Sequence, residues 1–420
     1  MWRKIAWVLY DCGNSGYGLI ILGPMFAPFF LRHVLPPLPG EETARGLVLF
    51  GNSIGGDAVF AMLTAMGALL TAVLAPVLGA VADIKGWTKR LFVLFALSGS
   101  LVAMTSVFVG EGMWVTAGVM FVVSSFCFAT SLTFYNAFLP VISRPEKQGS
   151  LSGYGFAFGY LGGAMALIIA GFIILPKMNM QYALGFSGVW WLTFSLPAFF
   201  LLKETPPQMA AGDRGPLISA GFRRVKQTFT NIRQYKMLFL FVLAFLLYSN
   251  GTDTVINISP AYATSVIDPP ITETALVKVF LIVQGVAFCG AMVFGRLSDK
   301  IGDKKVIVMT LIGWVLAVGA VFFVKTTEHF TYAAIGVGLV LGGVQASSRS
   351  LMAKLAPAQI RNEAFGFFSL AGKAVSILGP LCYAGLSAAW GPRMGVLAVL
   401  PFLLAGLILI LWVKEERAAV

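Results

Sequence analysis

The chain has 420 residues, of which 58% are apolar and only 11% are charged. Soluble domains carry roughly 25% charged residues, so this composition excludes a soluble protein and predicts a membrane protein. A net charge of +12 would suit a nucleic-acid-binding protein, but the basic residues alternate with apolar runs of about 20 residues, as they do in the cytoplasmic loops of membrane proteins. We therefore expect no nucleic-acid partner.

Twelve apolar runs reach the length of about 20 residues that a membrane-spanning helix needs. They lie near residues 5–35, 53–82, 91–109, 113–140, 151–175, 182–202, 237–266, 274–297, 305–324, 330–355, 364–388 and 394–413. The sequence therefore predicts an all-α protein embedded in a lipid bilayer. It comprises a bundle of six helices at 1–202, a cytoplasmic linker at 203–236 and a second bundle of six helices at 237–420.

The positions of lysine and arginine predict the orientation, because cytoplasmic segments are enriched in both. If the chain starts in the cytoplasm, the inner segments contain 23 of the 30 basic residues, with Arg349 among them, and the outer segments contain six. The remaining one, Lys373, falls inside the eleventh run. Both termini are therefore expected to be cytoplasmic.

The linker divides into two parts. The first contains Pro206-Pro207 and two glycines and a proline within residues 212–216, so it cannot be helical throughout. In the second part, apolar residues recur at spacings of four and three with basic residues between them, at Ile218, Phe222, Val225, Phe229 and Ile232. This pattern predicts an amphipathic helix on the inner membrane surface, with a solvated linker as the alternative.

The two halves of the chain repeat one another. A polar loop containing Gly79 and Asp83 returns 216 residues later with Gly295 and Asp299. At an offset of 217 residues, Pro140, Arg144, Glu146, Gly149, Ser152 and Gly155 correspond to Pro357, Arg361, Glu363, Gly366, Ser369 and Gly372. Repeated bundles of this kind place a solute site between them near the bilayer midplane.

The two polar loops resemble the Gly-x-x-x-Asp-Arg/Lys-x-Gly-Arg/Lys-Lys loop of the major facilitator superfamily. The resemblance implies the major facilitator fold with two six-helix pseudo-repeats, and loops that act as cytoplasmic gates. It places Asp83 at the N-terminus of the eleventh helix, near residues 363–367, and Asp299 at that of the fifth, near 150–155. The residues with an expected gating role are Gly79, Asp83, Gly295, Asp299, Lys300, Gly302, Arg144 and Arg361.

Five predicted helices carry more particular signatures. They are Trp7-x-Leu9-Tyr10-Asp11-x-x-Asn14-Ser15, Phe134-Tyr135-Asn136-Ala137-Phe138-Leu139-Pro140, the glycine-rich stretch 152–163, Gly342-Gly343-x-Gln345-Ala346-x-Ser348-Arg349-Ser350, and Gly366-x-x-Ser369-x-x-Gly372-Lys373. Together they resemble the autophagy-type vacuolar effluxer family and its bacterial relatives. The resemblance implies a transporter of amino acids or similar amphoteric solutes, and we expect a monomer in a bacterial inner membrane. Where that family places an acid before the glycine of the seventh helix, this chain has Asn250, and its acid is Asp253.

Polar side chains inside the predicted spans are the candidate solute ligands. A charged residue at the centre of a span costs roughly 2.5–3.5 kcal/mol, so it usually faces a cavity or a partner. The candidates are Tyr10, Asp11, Asn14, Asn136, Asn250, Asp253, Gln345 and Lys373. Asp11 and Asp253 are also the expected carriers of coupled protons. A structural role, such as hydrogen bonding between helices, stays an alternative for the polar candidates.

Lys373 lies about ten residues into the eleventh run, near 15 Å deep at 1.5 Å per residue. It is the only basic residue expected at such a depth. A compact ammonium with three donors can exchange partners, so we expect Lys373 to bind the carboxylate or another anionic group of the solute. The alternative is a buried ion pair with Asp11 or Asp253 that serves structure alone.

The predicted function is secondary active transport of a small polar solute, amphoteric or anionic, by alternating access, with protons as a candidate coupling ion. The sequence has no Gly-x-x-x-x-Gly-Lys-Ser/Thr loop for ATP, and its four cysteines show no metal-ligand spacing. We therefore expect neither an enzyme nor a bound cofactor or metal. The alternatives are an exporter of hydrophobic drugs or lipids and a membrane sensor or scaffold that does not transport.

Overall fold

The computed structural model describes residues 1–38, 45–49, 52–206, 217–374 and 378–415, without the side chains of Leu49, Ile232, Glu273, Lys373 and Ala374. Its amino-terminal helices are α1 (Trp2–Ile20), α2 (Phe26–Phe29), α3 (Gly56–Lys85), α4 (Thr88–Met104), α5 (Trp114–Ala137), α6 (Leu139–Ile142), α7 (Gln148–Ile168) and α8 (Met180–Leu201). The linker contains α9 (Leu217–Thr230). The helices that follow are α10 (Lys236–Val266), α11 (Glu273–Ile301), α12 (Asp303–Phe322), α13 (Thr327–Leu355), α14 (Arg361–Ala374), α15 (Leu378–Trp390), α16 (Pro392–Val396) and α17 (Leu400–Trp412).

Within the described residues, ten helical segments are long and apolar enough to cross a membrane. The other two predicted spans contain α1, and α14 followed by α15. The twelve predicted spans are therefore occupied by helices, and the all-α fold class is confirmed. One element was not predicted: β1 (Gly46–Leu49) and β2 (Asn52–Gly55) form an antiparallel hairpin that places Gly46 opposite Gly55.

Local sequence explains where several helices begin and end. Thr272 and Thr326 cap α11 and α13, because each hydroxyl accepts a hydrogen bond from a backbone N–H in the first turn. Gly86 follows α3 with φ of 70°, and Gly302 separates α11 from α12 with φ of 99°. Both values are left-handed, which glycine adopts without the steric cost that a side chain adds.

Two long contacts join the predicted amino-terminal bundle (the N-half, residues 1–202) to the predicted carboxy-terminal bundle (the C-half, residues 237–420). Helix α3 packs on α14, and α7 packs on α11. A methyl group at Gly79 would overlap the backbone of Asn362, and one at Gly153 would overlap the carbonyl of Ala291. Close backbone approach therefore closes the two halves against each other at the end of the molecule that carries the two polar loops, called here the polar-loop side.

The amphipathic segment of the linker is helical, as predicted. The small residues Ala220 and Gly221 of α9 are buried, and Gly221 packs against Val77 on α3. Ile218 and Phe222 remain exposed. Contact of α9 with a membrane surface stays a prediction, and residues 207–216 of the linker lie outside the described part of the chain.

Candidate functional site

A buried arginine on α13 joins the two halves. Only 2% of Arg349 is exposed, so its side chain is enclosed by protein, and the assignment of its segment to the cytoplasmic side stays a prediction. The sequence did not predict this burial, which arises because α13 packs Arg349 against helices of the N-half.

The guanidinium of Arg349 binds polar groups of three N-half helices. Its Nη1 donates to Oδ2 of Asp11 at 2.8 Å, and also to Oδ1 of Asn136 at 3.4 Å. Its Nε donates to the hydroxyl of Ser152 at 3.0 Å, and its Nη2 donates to the carbonyl of Ser152 at 2.8 Å. Asp11 is itself 5% exposed, so this is a buried ion pair. Charge-assisted hydrogen bonds of this kind are the stronger ones in proteins.

Aromatic rings complete the enclosure. The Arg349 guanidinium carbon lies 4.0 Å from the ring centroid of Phe156, 4.6 Å from that of Trp7 and 5.7 Å from that of Tyr135. These distances allow cation–π attraction. Trp7 and Tyr135 are stacked at 4.5 Å, and each side chain donates a hydrogen bond to the backbone carbonyl of the other. We call these three rings, with Asp11, Asn136 and Ser152, the Arg349 cage.

The cage depends on a residue without a side chain. A methyl group at Gly155 on α7 would overlap both the Asp11 carboxylate and the Arg349 guanidinium. Glycine at this position therefore lets α7 approach α1 and α13 closely enough for the ion pair to form.

Two other predicted solute ligands, Asn14 and Tyr10, lie next to the cage. Asn14 donates to Oδ1 of Asp11 at 3.3 Å. Tyr10 is fully buried, shares a hydrogen bond with Ser131 and packs its ring 4.7 Å from that of Tyr135. Asn136 reaches Arg349 directly. The structure thus brings Asp11, Asn14 and Asn136 together, whereas the Tyr10 hydroxyl is directed at another helix.

Gln345 makes a second link between the halves, one helical turn before Arg349 on α13. Its Oε1 accepts a hydrogen bond from the Tyr160 hydroxyl on α7 at 2.6 Å. Asp253 of α10 is half-buried. Asn250 lies nearby on α10 and is 3% exposed. The Lys373 side chain lies outside the described part of the chain, so its role stays a prediction.

The two loop acids occupy the positions that the family resemblance implied. Asp83 accepts hydrogen bonds from the backbone N–H groups of Asn362 and Glu363, at 3.1 and 3.0 Å, and from the Asn362 side chain at 2.7 Å. Asp299 accepts from the backbone N–H of Ser150 at 3.1 Å and from its hydroxyl. Each carboxylate therefore caps the first turn of a helix in the opposite half, where the unpaired amides favour negative charge.

The other residues with an expected gating role have different surroundings. Gly79 and Gly295 lie at close contacts between the halves, and Gly302 provides the left-handed turn. Lys300 and Arg144 are exposed, and Arg361 is half-buried. Arg144 forms no ion pair with Asp299 within the described residues. The gating roles of all eight residues stay proposals.

The described residues contain no group of three or more histidines, cysteines or acids that could hold a metal ion.

Comparison with known families identifies the family of the chain. The model of the family described as "Vacuole effluxer Atg22 like" matches residues 1–420. The chain belongs to this family.

Individual relatives agree with that membership. The chain is 28% identical over 427 residues to "Uncharacterized MFS-type transporter YxiO" of Bacillus subtilis (strain 168), covering 99% of this chain and 96% of that protein. It is 22% identical over 486 residues to "Autophagy-related protein 22-1" of Penicillium rubens, covering 91% and 82%. Among solved structures, the major facilitator transporter FucP in its outward conformation superposes with a TM-score of 0.70 at 14% identity, over 99% and 98% of the two chains. The Atg22-like chain thus has the major facilitator fold, and it is a multi-pass membrane transporter rather than an enzyme.

Proposed function

We propose that this chain moves a small solute bearing both a positive and a negative charge, similar to an amino acid, by alternating access. The observation that carries the proposal is the buried Asp11–Arg349 pair, whose two members belong to opposite halves. In alternating access, the halves part on one side of the membrane and then on the other, around a site between them. Parting on the polar-loop side withdraws Arg349 from the cage.

The cost of that withdrawal supports an amphoteric solute. Removing one partner of a buried ion pair costs roughly 3–5 kcal/mol, because the other charge is left without compensation. An amphoteric solute lowers this cost, since its anionic group replaces Asp11 beside Arg349 and its cationic group replaces Arg349 beside Asp11. A hydrophobic drug or a lipid tail offers neither replacement.

Asp11 and Asp253 stay the two candidate carriers of coupled protons. Asp11 forms the buried ion pair with Arg349 at 2.8 Å. Asp253 is half-buried on α10. We keep Lys373 as a second candidate ligand for the anionic group of the solute.

Flux measurements on purified protein in liposomes test the function. Liposomes are loaded with a mixture of labelled amino acids, or with a labelled hydrophobic cation, and flux is followed in both directions with and without a pH gradient. We expect flux of one or more amino acids, loss of that flux in Arg349→Gln, and partial recovery in Arg349→Lys. Arg32→Gln, which removes an exposed arginine, is the matched control and should behave like the wild type.

Two results would contradict the proposal. One is flux of the hydrophobic cation with none of any amphoteric solute. The other is unchanged amino-acid flux in Arg349→Gln. Asp253→Asn separately tests the coupling ion, because it should remove the effect of the pH gradient and spare exchange of solute for solute.

A further inference from the structure

The linker helix α9 spans the seam between the two halves on the polar-loop side. On one side, Gly221 packs against α3 of the N-half, where a methyl group would lie 2.8 Å from the Val77 carbonyl. On the other side, the Arg224 guanidinium lies 3.9 Å from the Glu363 carboxylate, at the start of α14 in the C-half. The ring of Phe229 also lies 5.2 Å from that of Phe367. One helix therefore contacts both sides of the closed seam.

Glu363 connects α9 to the gate formed by Asp83. Its side chain is 0% exposed, and its backbone N–H donates to the Asp83 carboxylate at 3.0 Å. A buried carboxylate needs a compensating charge, and among the described residues Glu363 forms an ion pair with Arg224. Displacement of α9 would thus remove the counter-charge of an acid that sits directly on the contact between α3 and α14.

A second surface of α9 remains about half exposed. Ile218, Phe222 and Phe229 are 61%, 47% and 51% exposed. At about 100° per residue, their spacings of four and seven place them within roughly 40° of one another around the helix axis. Gly221 and Thr228, which are buried, lie on a separate face. The exposed apolar stripe is therefore distinct from the face that carries Gly221 and packs on α3, while Phe229 at its end also contacts Phe367 of α14.

Position and charge both indicate what covers this stripe. Only residues 231–235 separate α9 from α10, which crosses the membrane, so α9 must lie close to the bilayer surface. The segment from Leu217 to Lys236 contains five basic residues and no acid. Apolar residues flanked by lysine and arginine are the pattern that binds the anionic surface of a membrane.

We infer that α9 binds the anionic phospholipids of the cytoplasmic leaflet and thereby clamps the gate shut, a regulation that rests on the transport cycle proposed above. The apolar stripe is exposed while Arg224 and Gly221 hold the seam, so lipid binds with the clamp in place. Anionic lipid consequently stabilises the state that is closed on the polar-loop side. The effect reaches the gate through the contacts of Arg224 and Phe229 with α14.

Distance measurements in two bilayers test the inference without requiring transport. Spin labels are attached at Lys147→Cys and Gln359→Cys, two exposed loop positions in opposite halves, after replacement of the four native cysteines. The protein is reconstituted in phosphatidylcholine alone and in phosphatidylcholine with phosphatidylglycerol. With phosphatidylglycerol, we expect the ratio of the short-distance to the long-distance population to rise by about fivefold for each basic residue that reaches the surface.

Two sets of variants distinguish the contact of α9 with lipid from the effect of α9 on the gate. Lys226→Gln with Arg233→Gln removes two exposed charges and should abolish the response to phosphatidylglycerol. Arg3→Gln with Lys4→Gln removes two exposed charges elsewhere and should preserve it. Arg224→Gln should uncouple the gate while the protein still binds phosphatidylglycerol vesicles.

Equal distance populations in the two bilayers, or a response that survives Lys226→Gln with Arg233→Gln, would overturn the inference. Failure of the proposed function is a separate result. It would appear as absent amino-acid flux with a gate that still responds to phosphatidylglycerol. Intact flux with an unresponsive gate would instead leave the function standing and remove α9 as its regulator.

Discussion

The two polar loops close the same end of the molecule in different ways. Asp83 of the N-half loop accepts three hydrogen bonds from Asn362 and Glu363, and Asn362 continues to Thr88, which shares a hydrogen bond with Thr205. The side-chain network beyond Asp83 is therefore neutral. Asp299 of the C-half loop reaches across to a single residue, Ser150.

Behind Asp299, the C-half contains an ionic cluster, whereas within the described residues no salt bridge joins two N-half side chains behind Asp83. Lys354 lies 2.7 Å from the carboxylate of Asp303 and 3.2 Å from that of Glu415. Asp303 is completely buried and also accepts from the Ser350 hydroxyl. The difference indicates that the N-half loop forms the stronger contact between the halves, whereas the C-half loop is stabilised by ion pairs within its own half.

The largest predicted effect follows from removal of the cation in the ionic cluster of the C-half. Lys354→Met leaves two carboxylates together, one of them fully buried, without their cation. Loss of one member of a buried ion pair costs roughly 3–5 kcal/mol of stability. Thr88→Val, its neutral counterpart in the N-half, removes hydrogen bonds worth about 0.5–1.5 kcal/mol each. We expect the thermal unfolding midpoint in detergent to fall much further for Lys354→Met than for Thr88→Val. Equal midpoints would contradict the stabilisation of the C-half by its ion pairs.

An intermediate effect is expected for the contacts between halves. In Asp83→Asn, an amide NH₂ must face N–H donors, so at least one hydrogen bond is lost, at about 1.5–3 kcal/mol for a bond to a charged group. Asp299→Asn should shift the equilibrium less, because Asp299 has one partner residue instead of two. The label pair at positions 147 and 359 measures both variants. We expect the open population to rise in each and more in Asp83→Asn, and the reverse order would be the contrary result.

The helix ends at the two polar loops could be located from the sequence because the signal is local, whereas the helices that their acids contact followed from the resemblance to the major facilitator superfamily. A glycine that permits close approach, an acid one turn later and a glycine turn define the end of a helix within a few residues. The repeat at 216 residues then indicates two such ends. The number of spans likewise depends only on the length of each apolar run. Local patterns of this kind can be recognised without knowing which helix they contact.

Arg349 could not be placed in this way. Its partners Asp11, Asn136 and Ser152 lie 338, 213 and 197 positions away along the chain. An arginine near the end of an apolar run can also extend to the membrane surface, where its charge costs little. The available signal was its position inside the run 330–355, within a signature of small residues that lets neighbouring helices approach. That signal indicates burial but does not identify the acid opposite.

The smallest predicted effect concerns two carboxylates, one just after the N-half and one near the end of the C-half. Glu204 accepts hydrogen bonds from the N–H groups of Lys89 and Arg90 at the start of α4, at 2.7 and 3.2 Å. Glu415 accepts in the same way from Asp303 and Lys304 at the start of α12, at 3.1 and 3.0 Å. Both acids thus cap a helix N-terminus, and only Glu415 also pairs with Lys354.

Replacement of each acid by glutamine removes its charge from the helix terminus. We expect Glu204→Gln to cost about 0.3–1 kcal/mol, the usual value for a charge at an exposed helix end. Glu415→Gln should cost about 1 kcal/mol more, because it also weakens the bond to Lys354. Hydrogen exchange at the first amides of α4 and α12 measures the two effects separately. Faster exchange in α12 than in α4, each relative to wild type, supports the charged bracing of the C-half, whereas equal acceleration would show that Lys354 adds nothing to the cap.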